Sequence, residues 1–139
     1  MASNKAELTR VFDEAGKGHG QPFLDLLRND ASWTIFGSTP WSGTYRGKEA
    51  ILTNLLRPLR ARLASPLKTH ALRLIGEGDF VAVQGRGENR TREGLPYENR
   101  YCWIFEFREG RILNIEEYAD TELISRVLGA PPELRHLTC

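Results

Sequence analysis

The sequence contains few cysteines, no excess of either charge and no long apolar run. Its two cysteines, Cys102 and Cys139, form no CxxC pattern, so neither a disulfide framework nor a zinc site is predicted. Nineteen basic and 18 acidic residues give a net charge of +1, whereas nucleic acids and acidic membrane surfaces attract proteins with a clear basic excess. We therefore expect no nucleic-acid partner, no membrane partner, no metal and no cofactor.

Targeting signals are also missing from the sequence. No segment approaches the roughly 20 apolar residues of a membrane-spanning helix. The first residues, Met1 to Lys5, lead into an amphipathic pattern and lack the apolar run of a signal peptide. These two absences favour a cytoplasmic protein.

Length and composition are those of one globular domain. The chain has 139 residues, of which 40% are hydrophobic and 27% charged, and a chain of this size buries enough surface to fold without disulfides or a metal. It contains no internal repeats and no low-complexity linker. We predict a single domain over residues 1–139, with a core of about 4–128 and a short C-terminal tail over 130–139.

Helical spacing of apolar residues dominates the first half of the chain. Asn4 and Glu7 have the spacing of a capping box, which predicts that a helix begins there. Pro58 is expected to kink the third helix or to end its regular part near Arg57. The predicted helices run from Asn4 to Ala15, from Pro22 through the next few residues, and from Lys48 to about Leu63.

Alternating patterns separated by glycine-containing turns predict strands, most of them in the second half. Asp120 follows the last strand and can cap a short helix over Thr121 to Leu128. Helices followed by strands indicate an α+β fold, with a curved antiparallel sheet of about five to six strands wrapped around the N-terminal helices. The predicted strands are Ala31 to Phe36, Thr44 to Arg46, Lys68 to Ile75, Phe80 to Thr91, Tyr97 to Arg108 and Arg111 to Ala119.

Burial selects the register of the last hairpin. A two-residue turn at Glu109 and Gly110 would set Trp103 opposite a glutamate, whereas a three-residue loop that includes Arg108 sets it opposite Ile115. We predict the three-residue loop, which also places Glu117 opposite Tyr101. The predicted inner face carries Asn99, Tyr101, Trp103, Phe105, Phe107, Leu113, Ile115 and Glu117.

The outer face of this hairpin is too apolar for ordinary solvent-exposed surface. A sheet-to-sheet homodimer explains it, and the alternative is that the chain's own tail covers it. The residues concerned are Arg100, Cys102, Ile104, Glu106, Ile112, Asn114, Glu116 and Tyr118.

The preceding strand has two possible orientations. If Val81 and Val83 face inward, Gly85 and Gly87 lie beneath the rings of Trp103 and Tyr101, where a missing side chain makes room. In the other orientation the inner face is far more polar. The first is preferred because it buries the valines; the polar alternative would turn inward Gln84, Arg86 and Glu88.

The order of these elements and three motifs resemble the nuclear transport factor 2-like superfamily, and within it the SnoaL-like or ketosteroid isomerase-related proteins. The resemblance covers about residues 4 to 128. It implies a cystatin-like cone of curved sheet and helices that holds one apolar pocket, usually in a homodimer. The matching segments are Trp33 to Lys48, Tyr97 to Tyr101 with its continuation to Ile112, and Glu116 to Thr121.

The resemblance does not carry over the catalytic set of the steroid isomerases. Those enzymes use an aspartate base on the first strand and an oxyanion pair of tyrosine and protonated aspartic acid. Here the first strand, Ser32 to Phe36, has no carboxylate, and Trp103 stands at the position of the later aspartate. Polyketide cyclases of the SnoaL kind rely on an acid and a histidine near the pocket, a role that His70 could fill.

The resemblance to limonene epoxide hydrolases is also partial. In that family an arginine lies between two aspartates. Glu117 matches the last-strand aspartate, but the Arg-x-Asp pair matches Gln84 and Arg86, so the pairing is lost.

Glu117 is the strongest candidate for a catalytic residue. A carboxylate on an aromatic inner face loses solvation, which raises its pKa towards the range of a general acid or base. Tyr101 and Asn99 can donate hydrogen bonds into the same cavity as orienting groups. The alternative for all three is a structural role, or for Glu117 a place at the wet mouth of the cone. The candidate pocket residues are Trp33, Trp103, Phe105, Ile115, His70 and Arg86.

Two functions remain open on the sequence. One is a pocket protein that binds a small, largely hydrophobic ligand without turnover. The other is a cofactor-free isomerase, polyketide-cyclase-like or epoxide-hydrolase-like enzyme that uses Glu117 as general acid or base. Since fold does not determine function, the side chains of the site must decide between them.

Overall fold

The computed structural model describes residues 3–131 as helices packed against a curved sheet. Most of the predicted tail, residues 132–139 with Cys139, lies outside the described residues. The helical segments are α1 (Asn4–Ala15), α2 (Gln21–Leu26), α3 (Lys48–Ala50), a π-helical segment Ile51–Leu56, α4 (Arg57–Arg62), α5 (Thr121–Leu123) and a second π-helical segment Ile124–Leu128.

The strands follow the predicted order, but two of the six predicted strands are each divided in two, and the first strand begins at Leu27 instead of Ala31. They are β1 (Leu27–Ile35), β2 (Gly43–Arg46), β3 (Thr69–Glu77), β4 (Phe80–Gly87), β5 (Asn89–Arg90), β6 (Pro96–Tyr97), β7 (Arg100–Arg108) and β8 (Arg111–Ala119).

Six strands form one sheet in the order β2-β1-β8-β7-β4-β3, and β5 pairs with β6 separately. The large sheet is mixed, because β1 runs parallel to β8 while all other neighbouring strands of this sheet are antiparallel. The prediction of an antiparallel sheet was wrong for this pair, since a hydrophobic pattern carries no information on strand direction. The arrangement sets β8 at the centre, between β1 and β7.

Two helix details differ from the prediction. Ser3, not Asn4, caps α1, and its hydroxyl accepts a hydrogen bond from the backbone nitrogen of Ala6 at 3.1 Å. Pro58 does not end the third helical stretch, because it stands at the first turn of α4, where its missing N–H is tolerated. The wider π-helical turns before it keep the chain helical from α3 through α4.

The last hairpin has a two-residue turn, not the predicted three-residue loop. Glu109 and Gly110 have φ values of 54° and 78°, as a type I′ turn requires. A bulge between Glu106 and Phe107 then shifts the register, so that Trp103 lies opposite Glu117. On the turn side of this bulge the two-residue turn pairs Ile112 with Phe107, so Ile112, predicted on the outer face, lies fully in the core.

The orientation preferred for β4 is confirmed. Val81 and Val83 are buried, with exposures of 1% and 0%. A Cβ atom added to Gly85 would lie 2.5 Å from Cζ3 of Trp103, so the missing side chain makes room for this indole. Arg86 therefore points to the opposite side of β4 from the core.

The core lies between the helices and the inner face of the sheet. Leu8 and Val11 of α1 are fully buried against it, as is Ile51 of the π-helical segment. None of the helices within residues 3–131 is long and apolar enough to cross a membrane.

Candidate functional site

Glu117 lies in the interior of the molecule and is only 7% exposed. Its strand, β8, runs between the strands that carry Trp33 and Trp103. The indole Nε1 of Trp103 donates a hydrogen bond to Glu117 Oε1 at 2.9 Å, and Nε1 of Trp33 donates to the same oxygen at 3.2 Å. The carboxylate is thus held at a fixed position by two aromatic donors.

The surroundings make Glu117 titrate near neutral pH. Burial raises the pKa of Glu117 to about 7, against the opposing effect of the two indole hydrogen bonds. Both bonds end on Oε1, and every fully buried polar side-chain atom of the described residues has a partner. Oε2 has no partner among residues 3–131, so it is not a fully buried atom. Its accessible surface therefore lies in the cavity that Glu117 lines. One carboxylate oxygen is free to meet a bound molecule.

Tyr101 and Tyr97 bring two phenols to the same cavity. The ring of Tyr101 stacks on Trp103, with centroids 4.6 Å apart. Burial raises the pKa of Tyr101 well above its usual value, and the neighbouring Tyr97 and Glu117 raise this pKa further. Tyr101 therefore stays protonated, and its O–H group interacts with the hydroxyl of Tyr97.

Asn99 makes four hydrogen bonds within the protein. Its Nδ2 donates to the Tyr97 hydroxyl at 3.1 Å and to the Asp120 carbonyl at 3.2 Å. Its Oδ1 accepts from the backbone nitrogens of Arg100 at 2.7 Å and Asp120 at 3.0 Å. Because the amide is fully used and 0% exposed, Asn99 joins β7 to the start of α5 and presents no free donor to the cavity.

A cavity of about 420 Å³ lies between the helices and the sheet. Its walls are mostly aromatic, which suits a flat apolar molecule. Ala15 and Leu24 add further apolar surface, while Gln21, Ser65 and Thr69 supply neutral polar groups. The aromatic residues of the wall are Phe12, Phe23, Trp33, Trp103 and Phe105.

A second, smaller cavity of about 60 Å³ contains the Glu117 site. It adjoins the large cavity, because Trp33, Trp103 and Leu67 line both. The indoles that bind Glu117 therefore stand between the carboxylate and the large cavity. The small cavity has room for a water molecule or the polar end of a ligand.

Three of the six pocket residues predicted from the sequence line the large cavity, and three do not. Trp33, Trp103 and Phe105 are in its wall. Ile115 is buried in the core with 0% exposure. The remaining two residues, His70 on β3 and Arg86 on β4, line neither the large nor the small cavity.

His70 and Arg86 are cross-strand partners on β3 and β4. Nε2 of His70 lies 2.8 Å from Oε1 of Glu88, and His70 lines a separate depression of about 330 Å³ beside α1. Arg86 lines neither the large nor the small cavity, because the orientation that buries Val83 turns its neighbours in β4 outward.

Sequence reasoning missed several residues of the site. Phe12 and Phe23 lie on helices, where their apolar spacing predicted core packing without showing which of them faces a void. Tyr97 lies at the start of a strand segment and gave no separate signal. Arg60 lines the large cavity, and nothing in the sequence separated it from the other arginines near it.

Within residues 3–131, no three His, Cys, Asp or Glu side chains come together as a metal site requires.

Solved structures share this fold at low sequence identity. An NTF2-like protein of unknown function from Burkholderia pseudomallei matches with a TM-score of 0.78 and 19% identity, covering 94% of this chain and 100% of that chain. A protein provisionally described as a SnoaL-like polyketide cyclase from a Jannaschia species matches with a TM-score of 0.72 and 16% identity, covering 93% of each chain. TerC, crystallised with polyporic acid, gives a TM-score of 0.75 at 18% identity and covers 91% of this chain and 98% of that chain.

These likenesses confirm the predicted α+β cone of the NTF2-like fold. A family model of the SnoaL-like domain also matches residues 8–115, which is most of the chain. The chain belongs to the SnoaL-like family. No curated protein matches it in sequence.

Proposed function

We propose that this protein binds a small, largely apolar molecule in the large cavity. The observation that carries the proposal is the cavity of about 420 Å³ with five aromatic side chains in its wall. Ligand sites are typically concave and mostly apolar, with a few polar groups that fix orientation. TerC, a relative in fold, was crystallised with polyporic acid, which supports a pocket for a molecule of this kind.

A second candidate is a cofactor-free enzyme that uses Glu117 as general acid or base. The observation that favours it is a carboxylate whose pKa is raised to about 7 and whose Oε2 faces an adjoining cavity. Tyr101 would then orient the substrate through its O–H donor, whereas Asn99 would act only by fixing Tyr97. Isomerisation, cyclisation and epoxide opening all use such a proton donor or acceptor.

The binding proposal predicts that a large side chain at Leu67 closes the cavity. Leu67 is partly buried and lines both cavities. In a Leu67→Trp variant we expect the affinity for 1-naphthamide, a neutral bicyclic probe, to fall at least about ten-fold because the added indole occupies the ligand volume. Isothermal titration calorimetry measures this change.

The matched control is Leu72→Trp. Leu72 is 54% exposed on β3 and lies outside both cavities, so this variant should bind the probe as the wild type does. Equal affinity of all three proteins would show that the probe binds elsewhere, and no binding to the wild type would refute the pocket for this class of ligand.

We also propose that the protein is a cytoplasmic homodimer joined through the outer sheet face. Phe36 and Tyr118 stack there with centroids 4.7 Å apart, and they are 38% and 49% exposed. Paired apolar rings on a surface favour contact with a second copy. Sedimentation velocity is expected to show a dimer that Tyr118→Lys weakens; a wild type that stays monomeric at high micromolar concentration would contradict this.

A further inference from the structure

The large cavity contains one charged side chain among the described residues, and it is a cation. Arg60 projects from α4 into the lining, which includes no aspartate or glutamate. Since Arg60 is an exposed residue that also lines the cavity, its side chain lies where the cavity opens to solvent. The mouth of an apolar site is thus marked by a single positive charge.

The guanidinium of Arg60 is not engaged by the protein. Its Nη2 lies near the backbone of Gly20, 3.3 Å from where a Cβ atom would stand. Within residues 3–131 it forms no hydrogen bond or ion pair. Arg28 and Arg10, by contrast, each bind a carboxylate, and Arg62 donates to the carbonyls of Leu128 and Ala130.

The inner end of the site has the opposite electrostatic character. Glu117 lies in the adjoining small cavity and carries negative charge for part of its population at neutral pH. A ligand anion placed there would be repelled, whereas a hydroxyl or carbonyl group could share a hydrogen bond with Oε2 or with Tyr101. The two ends of the combined cavity therefore favour different groups.

We propose that the ligand is an amphipathic carboxylic acid, whose ring system fills the aromatic cavity and whose carboxylate pairs with Arg60 at the mouth. This inference rests on the proposed binding function and names the chemical class of its ligand. An arginine fork offers paired N–H donors that match a carboxylate. The aromatic wall supplies the affinity. Arg60 makes the site prefer an acid over its neutral analogue and fixes the orientation of the ligand.

The test compares two probes that differ only at the charged group, 1-naphthoate and 1-naphthamide. Dissociation constants are measured by isothermal titration calorimetry at low ionic strength for the wild type and for the variants Arg60→Gln and Arg57→Gln. Arg57 is the matched control, because it is an exposed arginine at the start of the same helix, outside the cavity lining.

For the wild type we expect naphthoate to bind about five-fold more tightly than naphthamide, the size expected for an ion pair that solvent still reaches. Arg60→Gln should abolish this preference, with a larger loss of affinity for naphthoate than for naphthamide, while Arg57→Gln should keep the preference. Added salt should reduce the preference in the wild type, because exposed charges are screened.

Two outcomes overturn the inference in different ways. If both probes bind equally, or if the preference for naphthoate survives Arg60→Gln, the pocket is real but does not select acids through Arg60. If neither probe binds to the wild type, the proposed binding function fails together with the inference. The naphthamide measurement separates these two cases.

Discussion

Replacing Glu117 with glutamine is expected to remove most of the loss of stability that the wild type shows between about pH 4.5 and 7. Burial raises the pKa of Glu117 from 4.5 to about 7 in the folded protein. In that interval the folded state holds a proton that the unfolded chain has released, so the free energy of unfolding falls as the pH rises. The full effect above pH 7 is about 3 kcal/mol.

The variant Glu117→Gln carries no charge, and its side-chain carbonyl can still accept both indole hydrogen bonds. We expect it to match the wild type near pH 4.5 and to exceed it in stability by up to about 3 kcal/mol at pH 8. Chemical denaturation followed by tryptophan fluorescence at several pH values measures the difference.

Glu116→Gln is the matched control for this series. Glu116 is the next residue of β8 and points to the other face of the sheet, so its removal should leave the pH dependence of stability as in the wild type. A Glu117→Gln curve that ran parallel to the wild-type curve from pH 4.5 to 8 would mean that Glu117 titrates in the folded protein as it does in water.

The second large effect concerns proton transfer. If Glu117 is a general base, the wild type should accelerate the elimination of 5-nitrobenzisoxazole, a flat probe that reports base strength in apolar sites. The carboxylate takes the carbon-bound proton, the C–H electron pair forms the third C–N bond of a nitrile, and the N–O bond breaks with its electron pair going to oxygen to give a coloured phenolate. We expect kcat/KM to rise with pH through about 7, because the ionised form of Glu117 is the active one.

Glu117→Gln should lower this rate by about 100-fold or more while the affinity for 1-naphthamide changes little. Glu116→Gln should keep both the rate and its pH profile. If Glu117→Gln retains the rate, or if the wild type shows no acceleration, the enzyme candidate is refuted and the binding proposal stands alone. A rate that is lost together with probe binding would point to a collapsed pocket and would equally count against the assignment of Glu117 as base.

Local patterns in the sequence were enough to predict the elements. Apolar spacing marked α1 and the strands, and the alternation in β7 and β8 placed Trp103 and Glu117 on the same inner face. That Glu117 is buried among aromatic side chains, with a raised pKa, follows from this shared face. The turn residues alone did not predict the strand register of the last hairpin, because the bulge beside Phe107 shifts the pairing that the two-residue turn sets.

The sequence did not show which side chains donate hydrogen bonds to Glu117. Trp33 lies 84 positions away along the chain, and it reaches the carboxylate only because β1 runs parallel beside β8. The role of Asn99 also depended on three-dimensional contacts, since its amide is used up by Tyr97 and the backbone. A polar residue on an inner face can serve the fold as readily as a ligand.

The sequence by itself determined the α+β composition, the inner face of β7 and Glu117 as the residue whose environment matters most. Only the tertiary structure decided where cavities remain. The two indoles separate the large cavity from the Glu117 carboxylate, and Arg60 lines the large cavity whereas Arg86 does not. The physical reason is that periodicity records which side of an element is apolar. A cavity, however, is defined by several elements whose distance, direction and register arise only when they pack together.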